Sequence, residues 1–307
     1  MNSRLSPDRF RSYLERVELP LRSSTHPEFT ARRILRYGSF VGSVIEHHVR
    51  LERTMIAARK RIQAVEQEGG SVASGTVILA DSLSGSRGRF TRSWHAPLGG
   101  LWGSLTYVST LLPRYRLLVP LAVGVACCEA VRESGCEQAV IRWVNDVLVD
   151  GLKIGGFLSQ SFTGDQSGEC YCLIGFGINV NNLDFPFALQ DSATSLKQQT
   201  GQRFDLEAFT YCFLAKLAWN LGLLYHHEQL ELDRYCGAED PPGHPLLQRW
   251  LALSDSIGRP VVFGFDVVKK PQYRAVVEGL SADGGLRLIL EDGSVTTEYS
   301  GEIRYLG

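Results

Sequence analysis

The sequence has almost no net charge. Its 32 Lys and Arg balance 33 Asp and Glu, leaving a formal charge of −1 over 307 residues. No global basic field therefore exists to attract nucleic acid or an anionic membrane, and any anion must be met by a local cluster. Neither DNA nor a membrane is expected as a partner. Also missing is any C-x-x-C pair. The seven Cys are odd in number, and Cys127 and Cys128 stand side by side in a helix-like apolar stretch, which argues against a disulfide framework and for small apolar filler in a reducing compartment. No secretory signal is recognisable, because the first apolar run is short and Asp8, Glu15 and Glu18 interrupt the basic residues. These absences predict a cytoplasmic protein. Internal repeats and low-complexity tracts are absent too. So are the P-loop spacing G-x-x-x-x-G-K-[ST] and a G-x-G-x-x-G opening a helix, which disfavours the usual nucleotide folds.

What is present is the composition of a globular chain, 44% hydrophobic and 21% charged, long enough for one large domain and a small one. Residues 1–38 mix short amphipathic pieces with "PLRSSTHPEFT", a loop by composition, and are expected to be an extension without chemistry. "SFVGSVIEHHVRLE" alternates like a strand, and "TMIAARKRIQAVEQEGG" has helical spacing and ends on a Gly pair suited to a C-cap. "GTVILA" and "GGLWGSLTYVST" suit buried strands, with Trp102 a core aromatic. "YRLLVPLAVGVACCEAVRES" reads as one long helix buried against a sheet. "QAVIRWVNDVLVDGLKIGGFLSQSF" reads as two or three strands turning at Asn145-Asp146 and Asp150-Gly151, with Trp143 another core aromatic, and "CYCLIGFGINVN" as a further buried strand. A helix follows from Asp205 to about Tyr235, then "PPGHP" and a short helix to Leu253. From 255 on, short alternating strands between Gly turns suggest a small β-barrel or sandwich. The expected organisation is an extension over 1–38, a main domain over 39–254 and a small domain over 255–307.

One stretch carries chemistry. "GSRGRFTRSW", residues 85–94, places Arg87, Arg89 and Arg92 within six positions and adds Gly85, Gly88 and Trp94. Arg suits planar, multidentate contact with carboxylate or phosphate oxygens. Gly lets the backbone approach a ligand with its N–H groups exposed, and Gly88 permits dihedrals that a larger residue resists. Trp94 offers a flat face on which a nucleotide base stacks. A solvated basic loop is the plain alternative, and short motifs match by chance, so the neighbours decide.

The neighbours are "RGRFTRSW", "GGLWGSL", "RWVNDVLVDGLKIGGFL" and "GFGINVN", in that order. Together they resemble the catalytic domain of biotin protein ligases. That family's loop Gly-Arg-Gly-Arg-Arg-Gly-Arg-x-Trp places Arg87, Gly88, Arg89, Arg92 and Trp94 on its Arg, Gly, Arg, Arg and Trp. Its Lys-Trp-Pro-Asn-Asp falls on Arg142 to Asp146, and its Lys before a Gly-containing strand falls on Lys153. "ERTMIAAR" sits where the family has Ser-Thr-Asn or Ser-Thr-Met, while "SATSLKQQTG" and "YSGEI" resemble further family segments. The resemblance covers roughly residues 40 to 307.

The resemblance implies an α+β fold, a mixed sheet flanked by helices like that of class II aminoacyl-tRNA synthetases, with a small C-terminal SH3-like barrel. It also implies two-step acyl transfer. Biotin and ATP form biotinyl-5′-AMP, and biotin then passes to a lysine of a carboxylase's biotin carboxyl carrier domain. Lys153 and Arg87 are the implied catalytic residues. Arg53, Thr54, Met55, Leu83, Arg87, Gly88, Arg89, Lys153 and Gly155 are implied to bind biotin, and Arg89, Arg92, Trp94, Asn145, Asp146 and Asn179 to bind ATP. Mg²⁺ is implied chiefly through the phosphates, with Asp146 the candidate protein ligand. The loop 83–93 is expected to order over the adenylate and keep water from it. No helix-turn-helix domain is expected ahead of the core, and a homodimer is compatible with the resemblance.

The departures gather at the ring end of the implied biotin site. Arg53 stands at the Ser of Ser-Thr-Asn, and Leu83 at a Gln two residues before the family's Ala-Gly pair. An unpaired buried ureido group costs about 1–3 kcal/mol. Milder changes are Ser86, Thr91, Arg142 and Val144. Two alternatives stay open beside biotin ligation. One is the same fold acting on lipoate or a medium-chain acid, and the other is a non-catalytic relative that binds a carrier domain or a nucleotide.

Overall fold

The computed structural model describes residues 5–89, 92–234 and 243–306. Its centre is a seven-stranded sheet in the order β1-β2-β3-β7-β6-β5-β4. The strands are β1 (Val44–Leu51), β2 (Thr76–Leu83), β3 (Leu101–Val108), β4 (Val140–Arg142), β5 (Asp146–Val149), β6 (Leu152–Thr163) and β7 (Cys170–Ile178). β1 and β2 pair in parallel and every other neighbouring pair is antiparallel. The exception follows from the chain. A parallel pair needs a crossover, and helix α4 (Thr54–Gln67) supplies it. At the β5–β6 connection, Asp150 and Gly151 both take positive φ, 50° and 79°, as a two-residue hairpin turn requires.

Two expectations from the sequence are revised. The predicted single helix before β4 is two, α5 (Pro113–Arg116) and α6 (Val119–Glu133). Pro120 sits in the first turn of α6, where its missing N–H costs nothing, whereas further inside a continuous helix it would remove a hydrogen bond. The N-terminal segment is also more than an appendage. Helices α1 (Pro7–Tyr13), α2 (Leu19–Ser23) and α3 (Glu28–Gly38), with the π-helical turn Leu14–Glu18 between the first two, bury Phe10, Leu14, Leu19 and Ile34 in the same core as α6, α7 (Leu196–Thr200) and α8 (Leu206–Arg234). Gly38 and Gly222 mark the tight crossing of α3 on α8, since a Cβ at either would strike backbone of the other helix.

Behind α6 lies a buried ionic network. Lys216, 2% exposed, pairs with Glu18 at 2.7 Å and Glu133 at 2.6 Å. Arg22 bridges Glu18 and Glu129, each at 2.7 Å, and Arg249 of α9 (Pro245–Leu253) reaches Glu129 at 2.8 Å. Burial works against the Lys216 charge, but Glu18 and Glu133 outweigh it and raise the ammonium above its ordinary value. Likewise burial alone would push the Glu129 carboxyl up, and Arg22 and Arg249 instead hold it down. The network fixes α6, and the other side of α6 packs on β4, β5 and β6.

The C-terminal strands are β8 (Pro260–Gly264), β9 (Tyr273–Leu280), β10 (Leu286–Leu290), β11 (Val295–Glu298) and β12 (Glu302–Tyr305). They form an antiparallel sheet ordered β11-β10-β9-β8-β12. Among the described residues its two edge strands do not pair, so the sheet is open. It packs on the main body, with Val261, Phe263, Leu286 and Ile303 in the shared core. No helix among the described residues is long and apolar enough to cross a membrane.

Lys216→Met leaves Glu18 buried with one cation fewer, which is expected to lower unfolding stability by about 3–5 kcal/mol. A urea midpoint within experimental error of the parent would show that the network holds nothing. A second expectation concerns pH. His244 caps α9, its Nδ1 accepting from Leu246 N at 3.1 Å, and burial, with help from His227, lowers its pKa from 6.5 to about 3. The folded state therefore binds fewer protons here than the unfolded chain, and this contribution to stability is complete above pH 6.5 and declines as pH falls toward 3. His244→Asn keeps a capping acceptor and should flatten that decline in thermal melts.

Candidate functional site

The cavity is set by what β6 and β7 do not carry. Gly156 on β6 and Gly175 and Gly177 on β7 leave bare one patch of the sheet. A Cβ at Gly177 would lie 2.8 Å from Trp94 Nε1 and 3.3 Å from Trp102, and one at Gly156 would lie 3.2 Å from the Trp94 ring. At Gly175 it would strike Met55. Trp94 thus lies on a glycine floor, edge-on to Trp102 with ring centroids 6.4 Å apart. A cavity of about 320 Å³ opens over this floor.

Most of the residues singled out from the sequence meet there. Arg53, Thr54, Met55, Leu83, Arg87, Gly88, Arg89, Arg92, Trp94, Asn145, Asp146, Lys153 and Asn179 all line the cavity. Lys153 Nζ pairs with Asp146 Oδ1 at 2.5 Å and sits 5.2 Å from the Trp94 ring centroid. Its backbone is clamped between Ser192 O, which accepts from Lys153 N at 2.9 Å, and Thr194 N, which donates to Lys153 O at 3.0 Å. "SATSL" is therefore the strut beside Lys153. Asn145 holds two elements at once, donating to Phe157 O at 3.1 Å and accepting from Arg89 Nη1 at 3.3 Å. Asn179 is 3% exposed and accepts from Asn182 Nδ2 at 3.1 Å.

Gly155 does not belong to the set. A Cβ there would lie 2.8 Å from Cys127 Sγ on α6, so strand alternation turns its bare side to the helix and gives the cavity to Gly156. Gly88 needs no special backbone either. Its φ is not positive, and a Cβ would meet only Arg92 O at an ordinary 3.8 Å. Gly85 has the tighter position, its Cβ site 3.0 Å from Glu52.

The loop is a short hairpin, with Gly88 N donating to Arg92 O at 2.7 Å and Trp94 N to Ser86 O at 3.0 Å. Phe90 and Thr91, inside the stretch expected to order over a ligand, lie outside the described residues. The three cations differ. Arg92 pairs with Glu302 at 2.6 Å and lies 3.7 Å from Asp266. Arg89 donates to Gly301 O at 2.7 Å, and burial lowers its guanidinium, an effect that Glu302 and Asp146 oppose. Arg87 alone has no ion pair or hydrogen bond for its side chain among the described residues. At the far end, Arg53 Nε donates to Gly85 O at 2.5 Å, which ties the start of α4 to the loop.

Gly301 and Glu302 lie in "YSGEI", which resembles a family segment but carries no local signal of a role in the site. Gly301 has φ 118°, and a Cβ would collide with Phe263, so only glycine presents this carbonyl to Arg89. Phe185 and Leu189 were missed as cavity wall. The floor had a signal in "GFGIN", glycine at every second position of a strand, which bares one face.

Chemically, the cavity holds cations for anionic oxygens, one ammonium paired to a carboxylate, and a buried donor, Trp94 Nε1, without a partner among the described residues. It is suited to a carboxylate and a phosphate held side by side. For a divalent cation it offers Asp146 and Glu302, both paired with cations. Among the described residues no group of three or more His, Cys, Asp or Glu is placed to hold a metal. Such a donor set fits Mg²⁺ held mainly by phosphate oxygens with one carboxylate.

Residues 58–179 match the model of the Biotin/lipoate A/B protein ligase family. Among individual relatives, the chain is 34% identical over 145 residues to the bifunctional ligase/repressor BirA of Bacillus subtilis, covering 46% of this chain and 44% of that protein. It is 27% identical over 238 residues to the biotin–[acetyl-CoA-carboxylase] ligase of Paracoccus denitrificans, covering 74% of this chain and 88% of that one. The match thus spans less than half the length of the Bacillus relative. Among solved structures, the biotin protein ligase of Aquifex aeolicus in complex with biotin and ATP shares the fold, with TM-score 0.64, 23% identity and coverage of 86% of this chain and 99% of that chain.

Gly177→Val is expected to lift Trp94 off the floor, exposing its indole to acrylamide quenching at a stability cost of about 1–3 kcal/mol. Quenching equal to the parent's, with Trp94→Phe as the subtraction control, would mean that the ring does not rest there.

Proposed function

We propose that the chain is an ATP-dependent biotin protein ligase, which makes biotinyl-5′-AMP and passes biotin to a lysine of a biotin carboxyl carrier domain. The observation that carries this is Lys153. Paired with Asp146 over Trp94, it shares one cavity with Arg87 and Arg89, the residues that fall on the family's ligand-binding motifs.

In this reading the biotin carboxylate exchanges with Asp146 as the partner of Lys153, which holds one oxygen toward the α-phosphorus of ATP. That oxygen forms the new P–O bond as the bond to pyrophosphate breaks. Arg87 and Arg89 stabilise the charge that builds on the phosphoryl oxygens. Arg92, Trp94, Asn145, Asp146 and Asn179 hold the nucleotide, and bound Mg²⁺ supplies further neutralisation of the phosphate oxygens. In the second half the acceptor lysine's neutral amine attacks the acyl carbon, the anhydride bond breaks, AMP leaves as the phosphate anion, and the amine's surplus proton passes to solvent. Lys153 then donates to the acyl oxygen as it gains charge. Thr54, Met55, Leu83, Gly88 and Arg53 wall the acyl end.

The same reading takes 39–254 as the catalytic domain, buttressed by the N-terminal helices, and 255–307 as a small SH3-like domain. It places the protein in the cytoplasm, in keeping with six free cysteines among the described residues. A second reading, lipoate or a medium-chain acid as the acyl group, is favoured by Leu83, which puts an apolar side chain in the cavity wall.

Pyrophosphate release with ATP, Mg²⁺ and each acid separates them. Biotin is expected to be turned over, and Lys153→Ala to lower kcat/KM by about 10²–10³-fold with the fold intact by circular dichroism. Turnover with lipoate but not biotin selects the second reading, and full activity of Lys153→Ala defeats both.

A further inference from the structure

The chain enters the Asp146 strand through a short one. β4 is three residues long and outermost in the sheet, with β5 its neighbour on one side. Ile141 and Trp143 turn into the core, and Arg142 between them is half-buried. Arg142 ends the strand and pairs in register with Asp146 of β5, the carboxylate that holds Lys153 Nζ. So short an edge strand has little of its own to fix residues 143–145, which turn back into the site.

A side chain of the C-terminal sheet supplies the hold. Tyr305, the last residue of β12, has its ring centroid 4.3 Å from the guanidinium carbon of Arg142. Arg259, from the segment before β8, approaches the same ring at 4.3 Å. The ring is fixed in turn at its hydroxyl, which donates to Asp255 Oδ1 at 2.7 Å and lies 2.7 Å from the buried Ser256 Oγ. Asp255 also pairs with Arg259 at 2.8 Å. β12 itself is paired with β8 along its whole length, Tyr305 lying opposite Val261. A guanidinium stacked on a ring so anchored is held in place by electrostatic attraction and flat contact together.

The other end of β12 already belongs to the site. Glu302 pairs with Arg92, and the neighbouring Gly301 O accepts from Arg89. Glu302 and Tyr305 stand three positions apart in one strand, about 10 Å along it. One strand thus reaches both halves of the cavity, the hairpin at its start and the turn between β4 and β5 at its end.

We propose that Tyr305 is a positioning residue for the reaction, which through Arg142 sets the turn between β4 and β5 and so the place at which Asp146 holds Lys153. The proposal rests on the ligase reading and adds to it a residue outside the cavity. Neither Tyr305 nor Arg142 is among the residues lining that cavity, so their effect travels through the pairing of Arg142 with Asp146. Without the ring Arg142 is released, the end of β4 shifts, and Lys153 loses its fixed partner.

Pyrophosphate release by the full chain with biotin, ATP and Mg²⁺ tests this. Tyr305→Leu and Arg142→Met are each expected to lower kcat about tenfold with KM little changed. Tyr305→Phe keeps the ring and should restore the parent's kcat, and Arg259→Met, which leaves Arg142 stacked, should not lower it. On a Lys153→Ala background the loss from Tyr305→Leu should vanish, since a residue acting through Lys153 has nothing left to act on, whereas general destabilisation adds in full. A second readout needs no turnover. Lys153 packs on the Trp94 indole, so the Trp94 share of the emission, taken as the difference from Trp94→Phe, should be quenched more steeply by acrylamide in Tyr305→Leu and as in the parent in Tyr305→Phe. Full kcat in either Tyr305→Leu or Arg142→Met, an equal loss in Tyr305→Phe, or a loss that survives undiminished without Lys153 overturns the proposal. A parent chain that releases no pyrophosphate with any acid sinks the ligase reading instead, and the role of Tyr305 in placing Lys153 then stands or falls on the Trp94 quenching.

Discussion

The site depends on a stretch of sheet with no side chains. Gly156, Gly175 and Gly177 open enough depth over β6 and β7 for Trp94 to lie on the strands and for Met55 to approach them from α4. Everything above is placed relative to that floor. Trp94 carries the end of the hairpin inward, Lys153 packs its ammonium against the indole, and the hairpin's arginines are brought over the same few ångströms of sheet. A larger residue on the floor would lift the indole, and the hairpin with it.

The second constraint is the balance of charge around the hairpin. Its three arginines have three different states. Arg92 is held by carboxylates of the C-terminal sheet, Arg89 is held by a carbonyl of that sheet and by Asn145, and Arg87 has no partner of its own among the described residues. A phosphate arriving in the cavity therefore meets one cation already available and two whose present partners compete with it. Lys153 is in the same position, since an incoming carboxylate must displace or join Asp146. Such exchange of one anionic partner for another keeps the cations oriented before a ligand arrives, and orientation in advance lowers the ordering cost of binding.

The sequence made the strands, α4 and the gathering of the loop's arginines with Trp94 legible, because each rests on residues close together in the chain. "GTVILA", "RWVND" and "GLKIGGFL" announce strands and turns by alternation and glycine alone. It was silent where partners are distant. Arg89 and Gly301 are separated by 212 residues, and no local pattern in "YSGEI" says that its carbonyl faces an arginine. The helices of residues 7–38 read as an extension without chemistry because their polar composition hides Glu18 and Arg22, two charges whose partners Lys216 and Glu129 lie on later helices. Gly155 and Gly156 show the finer limit. Adjacent and identical in sequence, they are separated only by the two-residue period of β6, and the phase of that period is set by the packing of α6.

That phase connects the two ends of the molecule. The buried ions anchor α6, α6 sets which face of β6 is turned to the cavity, and β6 carries both the bare glycine and Lys153. The stability of a charge network far from the cavity is thus a condition for the register of the residues within it. On the opposite side, the C-terminal sheet reaches the hairpin through Gly301 and Glu302. The cavity is held between them, one support acting through packing and the other through directed polar contacts. Packing resists small displacements in every direction, whereas the ion pair to the exposed Arg92 is exchangeable with solvent or a ligand. The strand side is thereby the fixed half of the site, and the hairpin side is the half whose contacts a ligand can replace.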